Sequence, residues 1–300
     1  MRQARRAILI CVIAVILSGG TAQAGDPPWH ATRTKHFIVY YAPRAESVAK
    51  GAGDIAEKWY AVLSQKLKFA PHGITPIYLY PDRRSFSEAT GFKPGEPIVG
   101  TAHTRTFWIR VDASGAFADI ANVIPHELVH VFISRRLRAY AIRLPLWMHE
   151  GLAKYLAEDW TGADAELLAD AAAGGEIVSL ESISDAFPGD ERARSVAYVE
   201  SYSAVKHMAQ IYSPESIPDL LSELAAGQTF DTAMLYSIGV EPSRFEEEWR
   251  RYLWEEYNLN RWMKLGSGLM SAAMALFAIL AFRARLLHKR RKAQELEEEL

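Results

Sequence analysis

The apolar positions of this chain change rhythm about a third of the way along. "HFIVYYA" (36–42), "TPIYLYP" (75–81) and "RTFWIRVD" (105–112) are short runs rich in aromatic and β-branched residues, and they predict three strands. Between the first two, apolar residues at helical spacing predict a helix from about Glu46 to Leu67. "SFSEATGF" predicts a short helix ending near Gly91, and the Gly/Pro-rich "GFKPGEPIVG" predicts a loop. From Ala118 onward the spacing is helical, over about 118–137, 147–159, 163–173, 195–213, 215–226, 230–238 and 243–258. Strands mixed with helices, then helices alone, imply an α+β fold within residues 25–260. Its parts are a small N-terminal sheet-plus-helix lobe, about 25–140, and an all-helical C-terminal lobe, about 145–260. They meet in "RRLRAYAIRLP" (135–145), and a junction of lobes is a usual place for a site.

Two apolar runs stand apart from these amphipathic periods. Residues 1–24 have Arg2, Arg5 and Arg6 ahead of an apolar stretch from Ala7 to Leu17, then Ala22-Gln23-Ala24. That is the layout of a removed secretory signal peptide, and the stretch is too short to span a bilayer. Residues 265–282 form the second run, 18 residues without a charge, preceded by Trp262 and followed by Arg283, Arg285 and the Lys289–Lys292 cluster. Its length and flanks predict one transmembrane helix, with residues 283–300 as a charged cytoplasmic tail. Together the two runs place the bulk of the chain outside the cytoplasm, periplasmic or extracellular, as a single-pass protein of the cell membrane.

Composition narrows the chemistry. Hydrophobic residues make up 49% of the 300, enough to bury a sizeable core. The only cysteine, Cys11, lies in the signal segment, so the mature chain has neither disulfides nor thiolate metal ligands. Between Gly25 and Lys264 there are 32 Asp+Glu against 25 Lys+Arg, which argues against a broad nucleic-acid-binding surface. Any metal must be held by histidine and carboxylate.

"PHELVHVF" (125–132) offers such ligands. His126 and His130, at i and i+4, project from one helix face and can share a Zn²⁺ ion. Glu127 is rotated by about 100° from that face. It therefore reaches a water held by the metal more readily than the metal itself, and can act as general base. A catalytic zinc needs a third protein ligand, and Glu150 of "LPLWMHEGLAKYLAED" (144–159) is available on a returning helix, with Gly151 and Ala153 leaving room beside it. Pro125 suits the first turn of a fresh helix or a kink. His149 is a poor fourth ligand, because neighbours on a helix diverge. His72, His103 and His207 read as surface or rim residues, and Glu158 and Asp159 as carboxylates that could orient the zinc histidines.

"HELVH" followed by "WMHEGLAKYLA" resembles the gluzincin zinc metallopeptidases, in particular the peptidase MA-like family, and more distantly the zinc aminopeptidases. The resemblance runs over most of Lys35–Leu253, including "AYVESYSAVKHMAQIY" and the helical stretches after it. It implies a thermolysin-like catalytic domain, zinc ligands His126, His130 and Glu150, Glu127 as general base, and Tyr198 as the phenol that stabilises the oxyanion, with Tyr202 as its rival one turn on. Two departures stand out. His149 occupies a position where aminopeptidases usually carry Asn, and no Gly-Ala-Met-Glu-Asn motif precedes the zinc helix. "VGTAHTRTFWIRV" would fill the place of the substrate-lining edge strand, where it could hold an extended peptide or be an ordinary sheet edge. The expected partners are a peptide or protein substrate of the cell envelope and the membrane. A hydrolase of a non-peptide amide on the same fold and a non-catalytic envelope scaffold remain open.

Overall fold

The computed structural model describes residues 29–257 apart from 94, 97 and 116, together with 274–280 and 282–283. The expected signal peptide lies outside the described residues. So does most of the expected transmembrane run, of which 274–280 are helical. Among the described residues no helix is long and apolar enough to cross a membrane. The chain divides into one compact unit ending at Trp249 and a second from Arg250.

The first unit opens with β1 (His30–Arg33) and β2 (Phe37–Tyr41), then α1 (Glu46–Lys66), β3 (Thr75–Tyr80), α2 (Arg83–Thr90), β4 (Gly100–Ala102) and β5 (Ile109–Asp112). The five strands form one sheet in the order β1-β2-β3-β5-β4, parallel at β2–β3 and β3–β5 and antiparallel at both ends. Phe37, Val39, Ile77, Leu79, Ile109 and Val111 alternate into the core, as a half-covered sheet requires. Two helices cover it side by side, α1 over β1 and β2 and α3 (Phe117–Leu137) over β4 and β5.

Helices follow without interruption by strands: α4 (Leu146–Leu156), α5 (Gly162–Gly174), α6 (Glu191–Ile211), α7 (Ser216–Ala225), α8 (Phe230–Ile238) and a last helix through residues 242–257. The fold is therefore mixed α and β, mostly helical, with a small N-terminal sheet. A 3₁₀ segment, Arg138–Arg143, joins α3 to α4, and Arg143 anchors it by donating to the carbonyl of Gln228 at 2.9 Å. Trp249, fully buried, donates to Ser203 Oγ of α6 at 3.1 Å, and Phe245 stacks near Trp147 of α4. These contacts tie the end of the unit to the helices that carry the site.

Three details differ from the expected elements. The strands β1 and β4 carry no marked alternation in sequence and form only by pairing with their neighbours. The strand expected over 105–112 is confined to Ile109–Asp112, because His103 and Phe107, the latter at φ 58°, close a turn instead. The helix expected to reach Asp159 stops at Leu156, with Glu158 at φ 58°.

Candidate metal centre

Pro125 sits inside α3 rather than at its start. It removes one backbone hydrogen bond immediately before the site. The next residues follow the expected spacing. His126 and His130 present their rings to one side of α3, centroids 5.0 Å apart, and both are buried. The 3₁₀ joint reverses the chain, and α4 brings Glu150 against them. Glu150 Oε2 lies 3.6 Å from His126 Nε2 and 3.8 Å from His130 Nε2. One donor atom from each of the three residues lies within 4.8 Å of the others. Tetrahedral zinc, with metal–ligand bonds of roughly 2.0–2.1 Å, needs ligand atoms about 3.3–3.5 Å apart.

The donor set fits a metal on a second ground. Both carboxylate oxygens of Glu150 and Nε2 of His130 are buried without a hydrogen-bond partner among the described residues. Buried polar atoms left so cost about 1–3 kcal/mol each unless something occupies them. Two imidazoles and one carboxylate form the ligand set of a catalytic zinc with a position left open. Burial raises the Glu150 pKa, while His126 and Lys154 oppose that rise. Burial, reinforced by His149 and His126, pushes His130 well below the ordinary histidine value, so its ring is neutral and its lone pair available.

Each histidine has a different support. His126 Nδ1 faces Asp159 Oδ2 at 3.7 Å, and Lys154, one turn beyond Glu150 on α4, holds that carboxylate at 3.3 Å. The Lys154 ammonium also lies 3.7 Å from Asp164, the residue that closes the capping box of α5 with Thr161. Burial pushes the Asp159 pKa up, but His126 and Lys154 outweigh it and the net shift is down. Of the two carboxylates singled out in the sequence, Asp159 therefore faces the site. Glu158 pairs instead with Lys66 at 2.8 Å, at the surface. On the other ring, His130 Nδ1 meets Nδ1 of His149 at 2.8 Å, and burial lowers the His149 pKa to about 4.

Glu127 is 1% exposed, and the backbone of β4 lies directly on it: a Cβ at Gly100 would come within 2.9 Å of Glu127 Oε1. The expected edge strand is thus in place beside the glutamate. Its residues Gly100–Ala102 are buried, so in this structure the strand is not an open edge. Tyr198 is buried on α6, its ring edge-to-face with Phe187. Tyr202 stacks on Trp160 at 4.0 Å and lines a cavity of about 580 Å³ with Tyr155, Lys66 and Ile217. None of the metal-site residues lines that cavity. His207, expected at the surface or a cleft rim, is buried beside Phe245.

Residues 60–255 match the family model of the Peptidase MA superfamily. The chain belongs to that superfamily. The match spans both quoted histidine and glutamate stretches and most of the helical part. Among curated proteins no match was found. Membership points to a peptidase, and the His126–His130–Glu150 cluster to one that works with a metal. What the sequence did not disclose is which of Glu158 and Asp159 faces His126, that Lys154 holds Asp159, and that His149 lies against His130. Those roles depend on how α4 lies against α3 and on the turn after α4, and neither leaves a local pattern.

Proposed function

We propose that the protein is a zinc metallopeptidase that hydrolyses peptide bonds of peptide or protein substrates. The observation that carries this reading is the buried His126–His130–Glu150 cluster within a Peptidase MA domain. His126, His130 and Glu150 would hold Zn²⁺, which supplies Lewis acidity toward the scissile carbonyl and lowers the pKa of the attacking water. Glu127, next in sequence to His126, takes the proton from that water and delivers it to the leaving amine. Its burial beneath β4 keeps competing solvent away from the carboxylate. Tyr198 is assigned as the donor to the developing oxyanion. It shares a helix stripe with Ser201 and Val205, the residues of α6 that meet Gly151 of α4. We also propose that the domain acts outside the cytoplasm, tethered by an apolar C-terminal helix. The uncharged run 265–282 and the exposed side chains of Met274, Phe277 and Phe282 support that tether.

The direct test is Glu127→Gln in the full chain. The substitution keeps size and polarity and removes the base, so zinc content and fold should persist while turnover on a peptide substrate falls by roughly 10²–10⁴. Fragments of envelope proteins that disappear in the variant would identify the substrates. Unchanged fragment patterns and unchanged function in cells would remove the peptidase reading.

A further inference from the structure

We propose that His149 is a positioning residue: it accepts the Nδ1–H of His130 and so keeps Nε2 of that ring turned, unprotonated, toward the metal. The inference deepens the metallopeptidase reading and rests on it. It starts from one distance, 2.8 Å between the two Nδ1 atoms. Two ring nitrogens that close share a single proton, since two lone pairs would repel and two N–H groups would collide.

Only two arrangements of that proton exist for a pair of neutral rings. In the first, His130 donates from Nδ1, and its Nε2 carries a lone pair directed at Glu150 Oε2, 3.8 Å away. His149 then has a bare Nδ1 and its proton on Nε2. In the second, His149 donates from Nδ1, and the His130 proton moves to Nε2, where it points at the carboxylate and blocks a metal. The tautomer of His149 therefore decides whether His130 is a ligand. Both residues are buried, 2% and 5% exposed, so bulk water offers no ready substitute for the acceptor.

The pairing also gives a physical account of the residue before Glu150. Consecutive helix positions diverge by about 100°, so α4 can point Glu150 at the metal and His149 at the flank of His130. One helix thus supplies a ligand and the orienting partner of another ligand. An imidazole acceptor does this without a further negative charge, in a site that already holds Glu150, with Asp159 facing His126. With its Nδ1 engaged by His130, His149 cannot use that atom as a fourth ligand.

The test uses the full-length chain loaded with Zn²⁺. Side-chain ¹⁵N spectra of histidine-labelled protein should show His130 protonated at Nδ1 and metal-bound at Nε2, with His149 neutral and protonated at Nε2. A proton on His149 Nδ1 would overturn the assignment, and this readout needs no variant to fold. Zinc affinity, measured by competition with a chelator, should fall about 10–100-fold in His149→Leu, which has no acceptor. It should largely recover in His149→Asn, whose amide oxygen accepts. Wild-type affinity in His149→Leu, or equal losses in both variants with unchanged melting of the metal-free protein, would reduce His149 to packing and sink the proposal. If the wild-type chain binds no stoichiometric zinc, the metallopeptidase reading itself fails, which is a distinguishable result.

Discussion

A buried lysine is costly in any fold, and Lys154 has a side chain only 4% exposed. Its two carboxylate neighbours, Asp159 at 3.3 Å and Asp164 at 3.7 Å, offset that cost. The arrangement links three features: Asp164 caps α5, Asp159 is held by the lysine, and the Asp159 carboxylate faces His126 at 3.7 Å. Removing one partner of such a cluster leaves buried charge without compensation, typically worth 3–5 kcal/mol. Lys154→Met keeps the volume and removes the charge. The metal-free variant should therefore lose about 3–5 kcal/mol in denaturant unfolding. Its zinc affinity should also fall, because Asp159 would no longer be held toward His126. Asp159→Asn should weaken zinc binding with a smaller loss of stability, since Lys154 keeps Asp164. A Lys154→Met variant as stable as the wild type would mean that the carboxylates are solvated rather than held by the lysine.

At the scale of elements, the site depends on how closely α4 lies on α6. A Cβ built on Gly151 would stand 2.3 Å from the carbonyl oxygen of Ser201 and 2.8 Å from Val205 Cγ2. Backbone cannot yield as a flexible side chain does, so Gly151→Ala must push the two helices apart and carry Glu150 with it. Overpacking of this kind costs about 1–3 kcal/mol. The variant should melt earlier and bind zinc more weakly, whereas Ala153→Gly should leave zinc binding close to wild type. A second contact, between the β1–β2 turn and α1, responds to acid. Burial raises the Glu57 pKa, but hydrogen bonds from Thr34 and from the backbone and ring of His36 outweigh it, leaving it below the usual 4.5. A lowered carboxylate pKa contributes stability above the unfolded value and loses it as pH falls through the folded one. Glu57→Gln should therefore flatten the acid limb of the stability curve below about pH 4.5. Elements of this kind were legible to different degrees. The spacing that predicts a helix over 118–137 and a His126/His130 pair is local, and α3 follows it within a residue. Gly100–Ala102 has only three residues, and nothing in them marks a strand until β5 is beside it. The early end of α4 is equally silent, because Glu158 adopts a left-handed conformation that a glycine would have announced.

For the whole molecule, charge and apolar surface divide unequally between the ends and the middle. The stretch between Gly25 and Lys264 is acidic on balance, while arginines lead the first apolar run and a basic cluster follows the second. In the described part of the second run, Met274, Leu276, Phe277, Ile279, Leu280 and Phe282 are all more than half exposed. Six large apolar side chains in nine residues are hard to reconcile with water, and in the tether we propose hydrocarbon would cover them. A transmembrane placement of 265–282 then fixes the expected topology. In the topology we propose, an exported N-terminus would set the peptidase domain outside, and the Arg283–Lys292 cluster would stay on the cytoplasmic side, in keeping with the positive-inside rule. Protease added to cells whose outer envelope has been opened should degrade the domain and spare an epitope placed after Leu300. A domain that resists until the cytoplasmic membrane is lysed would reverse the orientation. Replacing Phe277 and Leu280 with arginine gives an independent reading. Each charge near the middle of a span costs about 2.5–3.5 kcal/mol on insertion scales, so the double variant should leave the membrane fraction. If it remains there after a high-salt wash, another segment is the anchor.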